Sequence, residues 1–98
     1  MEREIPAEVS RSYVLNQSLV KGWDGTQWVC INELIDRESR WDNTANNPTS
    51  SAYGLFQMLR TPVGLSLEEQ TRRGLRYIEN RYDTPCKALQ HHNRKNWY

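Results

Sequence analysis

One carboxyl group of this chain falls where it could act as a general acid. Four large apolar residues recur at helical spacing, namely Trp28, Ile31, Leu34 and Ile35. The same stripe, continued along the helix, reaches Glu38. A carboxyl in apolar surroundings is disfavoured as an anion, so its pKa rises, and cleavage of a glycosidic bond needs such a protonated carboxyl near neutral pH. Glu38 is therefore predicted as a catalytic acid; the alternative is a surface carboxyl paired with Arg37 or Arg40.

The sequence offers no convincing candidate for the second carboxylate that retaining and inverting glycosidases normally have. Asp36 falls off the apolar face, and Asp42 opens a loop, where an Asp more often bonds to its own backbone. His91 and His92 are adjacent, but neighbouring residues of a helix point in different directions. Because no cluster of Asp, Glu or Cys stands beside them in the sequence, we expect no metal site.

Length and composition limit the class of protein. The chain has 98 residues, which is room for one domain, and a net charge of +1 with interleaved acids and bases disfavours binding of nucleic acid. No apolar run is long enough to span a membrane, so we expect no membrane insertion. After Met1 the chain reads Glu-Arg-Glu-Ile-Pro, so we also expect no signal peptide.

Cys30 and Cys86 are the two cysteines of the chain. They lack the neighbouring ligands that a zinc site needs. They form either one disulfide, which closes a long loop in an oxidising environment, or two reduced and buried thiols. The sequence leaves both alternatives open.

Two helices are predicted in the first part of the chain. The first covers about residues 7–20, where Val9, Tyr13 and Val20 recur at near-helical spacing with Leu15 and Leu19 nearby. Two glycines then mark a tight connection. The second helix starts near Thr26, with Asp24 or Thr26 as its N-cap because each carries a short side-chain oxygen. This second helix carries the stripe that leads to Glu38.

Two further helices are predicted after a long loop. Residues 42–51 have the composition of a loop, and residues 52–59 form either a short helix or an irregular turn. Ser66 and Glu69 have the spacing of a capping box, which opens a helix with the buried stripe Leu67, Thr71, Leu75, Ile78 and Tyr82. The last helix covers about residues 85–93, and the segment after it frays unless its two aromatic residues dock.

Four short motifs follow one another from the predicted acid toward the end of the sequence. They read Glu38-Ser39 with Trp41; Ala45, Asn47-Pro48 and Gly54-Leu55-Phe56-Gln57; Gly74-Leu75-Arg76-Tyr77; and Ala88-Leu89 with His92-Asn93. In this order they resemble the motifs of the soluble lytic transglycosylases, whose fold is like that of goose-type lysozyme. The resemblance covers residues 23–98 and is nearest to the domains of this type that are attached to phage virion proteins.

The resemblance implies a mainly α fold, a lysozyme-like small helical domain with a groove between helices and loops. Residues 1–22 are then an N-terminal helix and connector, and residues 23–98 are the transglycosylase domain. The two parts together are expected to form one compact unit.

The resemblance also implies a set of site residues. Glu38 becomes the catalytic acid and base, and the substrate-binding residues are Ser39, Tyr53, Gln57, Tyr77, His92 and Asn93. His92 stands where the family has a Tyr, although an imidazole can still stack and donate a hydrogen bond. For each of these residues a structural alternative stays open; Tyr77, for example, can be an ordinary helix-face aromatic and Gln57 a loop cap.

The family's reaction cleaves the bond between N-acetylmuramic acid and N-acetylglucosamine in peptidoglycan, gives a 1,6-anhydromuramoyl end and implies no cofactor. The expected partners are peptidoglycan glycan strands and, through the first helix, other phage virion proteins. The place of action is then the bacterial cell wall or periplasm, reached from a virion. Two alternatives stay open: a hydrolase that uses the same Glu38, and a non-catalytic structural or glycan-binding component.

Overall fold

Four α-helices make up the regular structure. The computed structural model describes residues 3–98, in which α1 is Ala7–Val20, α2 is Thr26–Ser39, α3 is Leu67–Tyr82 and α4 is Pro85–Lys95. The described residues contain no strand; two isolated antiparallel bridges join Tyr53 to Asn46 and to Met58 within the α2–α3 loop. The prediction of a mainly α domain is confirmed. None of the described helices combines the length and the apolar character that crossing a membrane requires.

Helix α2 packs mainly against α4 and also contacts α1. Its buried side is the predicted stripe, with Ile31, Leu34 and Ile35 in the core. The predicted cap is wrong, because Gly25 is the N-cap residue and no side chain accepts a hydrogen bond there. Gly25 has a φ of 52°, a value that glycine adopts easily, and it turns the chain directly into the first helical turn at Thr26.

Helix α1 has the predicted bounds but buries a different face. Of the predicted stripe, Val9 and Val20 are largely exposed, as is the nearby Leu19, and Tyr13 is partly buried against the core. The fully buried residues are Ser10, Val14 and Ser18. These three residues recur every four positions, so they share one side of the helix. Small serines on that side let the helix backbone approach the core closely, and the Ser18 hydroxyl donates to the Val14 carbonyl oxygen at 2.8 Å. Through Val14, α1 is part of the same core as the other helices.

Helix α3 begins with half of the predicted capping box. The Ser66 hydroxyl accepts a hydrogen bond from the Glu69 N–H at 3.2 Å, as the motif requires. The Glu69 carboxylate does not return to Ser66, because it pairs instead with Arg72 and Arg73 on the helix surface. The buried face contains Leu67, Thr71, Leu75 and Ile78 as predicted, whereas Tyr82 is only partly buried.

Helix α4 is joined covalently to α2. Thr84 caps α4 by accepting from the Lys87 N–H, Pro85 lies in the first turn, and the helix ends at Lys95, just beyond the predicted end. Cys86 and Cys30 form a disulfide, so the first of the two alternatives for the cysteines is correct. The bond links the first turn of α4 to the N-terminal half of α2.

The loop between α2 and α3 is organised by one buried side chain, that of Gln70. Its amide nitrogen donates to the carbonyl oxygens of Asn43 and Leu65, and its Oε1 accepts from the Leu55 N–H at 2.9 Å. Gly54 lies against this amide: a Cβ atom there would come 2.3 Å from Oε1. Gln70 therefore fixes the loop that follows Glu38 along the chain.

Removing the Cys30–Cys86 disulfide is expected to lower the stability of the protein measurably. Replacing both Cys30 and Cys86 by Ala is expected to lower the free energy of unfolding by about 4 kcal/mol, because the bond closes a long loop in the unfolded chain. Urea unfolding of the oxidised protein and of the double variant measures the difference. The wild-type protein unfolded in excess thiol is the control and should match the variant; equal stability of all three would contradict the expectation.

Candidate active site

A groove of about 600 Å³ opens beside the C-terminal end of α2. Its walls come from α2, from the loop before α3, from α3 and from the segment after α4. The lining residues are Glu38, Asn47, Ser50, Ala52, Gln57, Met58, Leu59, Arg60, Tyr77, Asn96, Trp97 and Tyr98. Of these, Glu38 has the only acidic side chain and Arg60 the only cationic one. The groove therefore offers one acid among polar and aromatic surfaces.

Glu38 lies in the last turn of α2 with its side chain 19 % exposed. Burial raises the pKa of this carboxyl above its ordinary value of 4.5, and the charge and hydrogen bond of His92 act in the opposite direction without cancelling the effect. Oε1 lies 3.1 Å from Nε2 of His92. The predicted environment of Glu38 is thus present: a carboxyl that keeps its proton more readily than an exposed one.

His92 and Asn93 lie on α4, on the side that faces the end of α2. His92 contacts Glu38 directly, and Asn93 accepts a hydrogen bond from the guanidinium of Arg37 through its Oδ1. His92 is largely buried, with 12 % of its side chain exposed, whereas Asn93 is exposed. His92 therefore contacts Glu38 directly, whereas Asn93 contacts the neighbouring residue Arg37 instead.

Gln57 and Tyr77 both line the groove with Glu38. Gln57 has a φ of 50°, and its amide nitrogen donates to the carbonyl oxygens of Ala45 and Gly54 at 2.9 and 2.8 Å. This side chain therefore caps its loop and also borders the groove. The Tyr77 hydroxyl donates to the Tyr98 carbonyl oxygen at 2.9 Å, and burial raises the pKa of its phenol.

Ser39 and Tyr53 do not line the groove with the other predicted site residues. The Ser39 hydroxyl is buried and lies within hydrogen-bonding distance of the carbonyl oxygens of Leu55 and Ile35, at 2.8 and 3.2 Å. Tyr53 is buried and holds the two backbone bridges of the loop. Both residues stabilise the loop that adjoins Glu38.

Asp42 makes the local bonds that its position predicts. Its Oδ1 accepts from the N–H and from the hydroxyl of Thr44, at 2.9 and 2.8 Å. The carboxylate is therefore used within its own turn. It is also absent from the groove lining, so it adds no second acid to the one at Glu38.

The wall formed by the segment after α4 is the part of the groove that the sequence did not identify. Asn96 adopts the left-handed conformation, ends α4 and turns the chain back toward the groove. The Tyr98 hydroxyl donates to the Phe56 carbonyl oxygen at 2.7 Å, and its ring packs edge-on against that of Tyr77 with centroids 5.7 Å apart. The aromatic residues therefore dock. The available signal was an Asn, which tolerates positive φ, directly before two aromatics.

Within residues 3–98 no three His, Cys, Asp or Glu side chains come together in the way a metal ion needs. His91 and His92 point apart, as expected for neighbours on a helix. The His91 Nδ1 lies 2.9 Å from the Trp97 carbonyl oxygen, while His92 faces Glu38.

Comparison with known proteins found no match: no family model fits the sequence, and neither a curated protein nor a solved structure is similar to it.

Docking of Tyr98 can be tested by removing one oxygen atom. Tyr98→Phe is expected to lower the free energy of unfolding at pH 7 by about 1–3 kcal/mol, because the buried Phe56 carbonyl loses its donor. Tyr13→Phe is the matched control, since no hydrogen bond of that hydroxyl is present in the described structure and a change near zero is expected. Chemical unfolding of both variants measures the difference, and equal small losses would contradict the docking.

The difference in stability between wild type and Tyr98→Phe is also expected to depend on pH. Burial, and then the charge of Glu38, raise the pKa of the Tyr98 phenol well above its ordinary value of 10.0. The folded state thus holds this proton more tightly than the unfolded state, so the stability it contributes is complete below pH 10 and is lost as the pH rises beyond that value. The stability gap between wild type and Tyr98→Phe should narrow from pH 9 to pH 11; a constant gap would contradict this.

Proposed function

We propose that this chain cleaves the glycan strands of peptidoglycan as a lytic transglycosylase, with Glu38 acting first as acid and then as base. The observation that carries the proposal is the environment of Glu38. It has the only side-chain carboxyl in the groove lining, is largely buried, and has a pKa raised by that burial. Such a group is suited to protonate a leaving oxygen near neutral pH, as glycoside cleavage requires.

In the first half of the reaction, Glu38 donates its proton to the oxygen that links N-acetylmuramic acid to N-acetylglucosamine. The bond between that oxygen and the anomeric carbon breaks, and N-acetylglucosamine departs with a new hydroxyl group. The N-acetyl group of the muramoyl residue supports the oxocarbenium-like centre from within the substrate. This substitutes for the second carboxylate of the usual glycosidases, which the groove lining does not provide.

In the second half, the Glu38 carboxylate takes the proton of the muramoyl 6-hydroxyl, whose oxygen attacks the anomeric carbon. A 1,6-anhydromuramoyl end forms, Glu38 is protonated again and no water is consumed. No cofactor takes part in this scheme. Because one group serves both steps, its pKa has to suit proton donation and proton abstraction in turn.

The rest of the groove supplies the surfaces that a glycan strand needs. Tyr77, Trp97 and Tyr98 offer aromatic surfaces to sugar rings, and Trp97 is half exposed at the rim. Gln57 and Asn47 offer polar groups at the loop side. On these grounds we assign the small helical domain to the lysozyme-like architecture, with the groove between helices and loop as the substrate site.

The proposal places the activity at the bacterial cell wall, with delivery by a phage virion. Peptidoglycan lies outside the cytoplasm, and the Cys30–Cys86 disulfide suits an oxidising environment. On α1, Val9, Leu19 and Val20 are exposed, and we assign this face to contacts with other virion proteins. Mass spectrometry of purified virions tests this part of the proposal, and failure to detect the chain in them would contradict it.

The decisive experiment is a peptidoglycan digest with products separated and weighed. Wild type is expected to release fragments with 1,6-anhydromuramoyl ends, and Glu38→Gln to be slower by about 10²–10⁴-fold because it cannot donate the proton. Asp36→Asn is the control, since Asp36 lies on the exposed face of the same helix and should leave the rate unchanged.

The other outcomes separate the alternatives. Reducing muramoyl ends would keep Glu38 as the acid but make the protein a hydrolase with water as acceptor. Equal rates for wild type and Glu38→Gln would refute the assignment of Glu38. No product from any folded variant would favour a glycan-binding or structural component.

A further inference from the structure

Arg37 is adjacent to Glu38 in the chain, but its side chain runs across the helix surface to α4. Its Nε donates to Glu33 at 3.0 Å, and its Nη1 donates to Oδ1 of Asn93. The same Nη1 lies 3.5 Å from Nδ1 of His92. One guanidinium thus reaches the far side of the imidazole ring that contacts Glu38.

These contacts determine which ring nitrogen carries the proton. A guanidinium has five donors and no acceptor, and it stays charged at every ordinary pH. A nitrogen that accepts from it presents a lone pair, so this contact favours the neutral tautomer with Nδ1 unprotonated and the single proton on Nε2. Nε2 is the atom that lies 3.1 Å from Glu38 Oε1. His92 is therefore a donor to the carboxyl and does not compete for its proton.

We propose that Arg37 is a positioning residue that holds His92 as the neutral tautomer with Nε2–H directed at Glu38. The inference rests on the proposed function, because its purpose is to orient the Glu38 acid. With Oε1 accepting from His92, the proton of the carboxyl belongs on Oε2. Oε2 makes no hydrogen bond with the described residues, so it can donate to a substrate oxygen in the groove.

The charges around the ring explain why a fixed cation is useful there. The ionisable groups that face His92 are Glu38 and Arg37 from α2 and Tyr98 from the segment after α4, with Tyr77 of α3 behind Tyr98. Burial keeps both phenols neutral by raising their pKa values. The carboxyl of Glu38 and the fixed positive charge of Arg37 thus face the two nitrogens of the ring from opposite sides, so removing the Arg37 charge takes away the electrostatic repulsion that acts on a proton at Nδ1.

The test compares the imidazole ring in four proteins: wild type, Arg37→Gln, Arg37→Lys and Arg40→Gln. Nitrogen-15 NMR of the free protein at pH 7 shows directly which ring nitrogens are protonated, and His91→Gln assigns the two histidines. We expect His92 in wild type to carry its proton on Nε2 alone, and Arg37→Gln to gain a doubly protonated population. Arg37→Lys keeps the charge and should restore much of the wild-type pattern. Arg40→Gln removes a charge at the exposed end of α2 and should change nothing.

A second readout uses the pH profile of peptidoglycan cleavage. In Arg37→Gln the limb that reports protonated Glu38 should move to lower pH; a fall of one pKa unit lowers the protonated fraction, and with it kcat/KM above that pKa, by about tenfold. A merely structural role of Arg37 would lower the rate at every pH alike.

Two results would overturn the inference. One is a wild-type His92 that is protonated on Nδ1, and the other is a His92 in Arg37→Gln whose ring nitrogens are protonated as in wild type. The NMR readout needs no catalytic activity. If the expected tautomer is found in a protein that cleaves no peptidoglycan, the proposed function fails and the assignment to Arg37 stands. If the protein cleaves peptidoglycan but the protonation of His92 in Arg37→Gln is unchanged, the proposed function stands and the assignment to Arg37 fails.

Discussion

The pairing of α2 with α4 is the constraint on which the rest of this structure depends. At one end the two helices are joined by the Cys30–Cys86 disulfide, and at the other end Glu38 meets His92. Cys30 and Glu38 are two turns of helix apart, about 12 Å, so the covalent bond and the polar contact hold the pair at separate points. A domain this small buries limited apolar surface, which makes such a second attachment valuable. The groove lies where the paired helices end.

Two opposing effects act on the pKa of the Glu38 carboxyl. Desolvation favours the protonated carboxyl, while a nearby imidazole favours the anion, and burial is the larger of the two. The balance is sensitive to the charge state of His92, and this gives the contact between Arg37 and His92 its importance. The site thus combines a largely buried acid with an imidazole that a guanidinium contacts from the surface side.

The helices could be predicted closely because periodicity and caps are local signals: the bounds of α1 and the buried stripes of α2 and α3 follow from residue spacing. The buried face of α1 could not be predicted, since a count of apolar residues favours Val20 over Ser18. What placed Ser18 inside is close helix approach, a property of tertiary packing. Gln70 and Tyr98 were missed for the same reason, because their partners Leu55 and Phe56 are distant in sequence. The partly buried position of Glu38 could be predicted because it continues an apolar stripe, whereas its contact with His92 depends on the fold.

The central claim is that burial keeps Glu38 protonated more readily than an exposed carboxyl despite His92. Carbon-13 NMR of labelled Glu side chains, followed through a pH titration and assigned with Glu38→Gln, measures this directly. The structure predicts a midpoint for Glu38 above the ordinary value of 4.5. A midpoint at or below that value would mean that His92 outweighs burial, and the raised proton affinity on which the acid role of Glu38 depends would be absent.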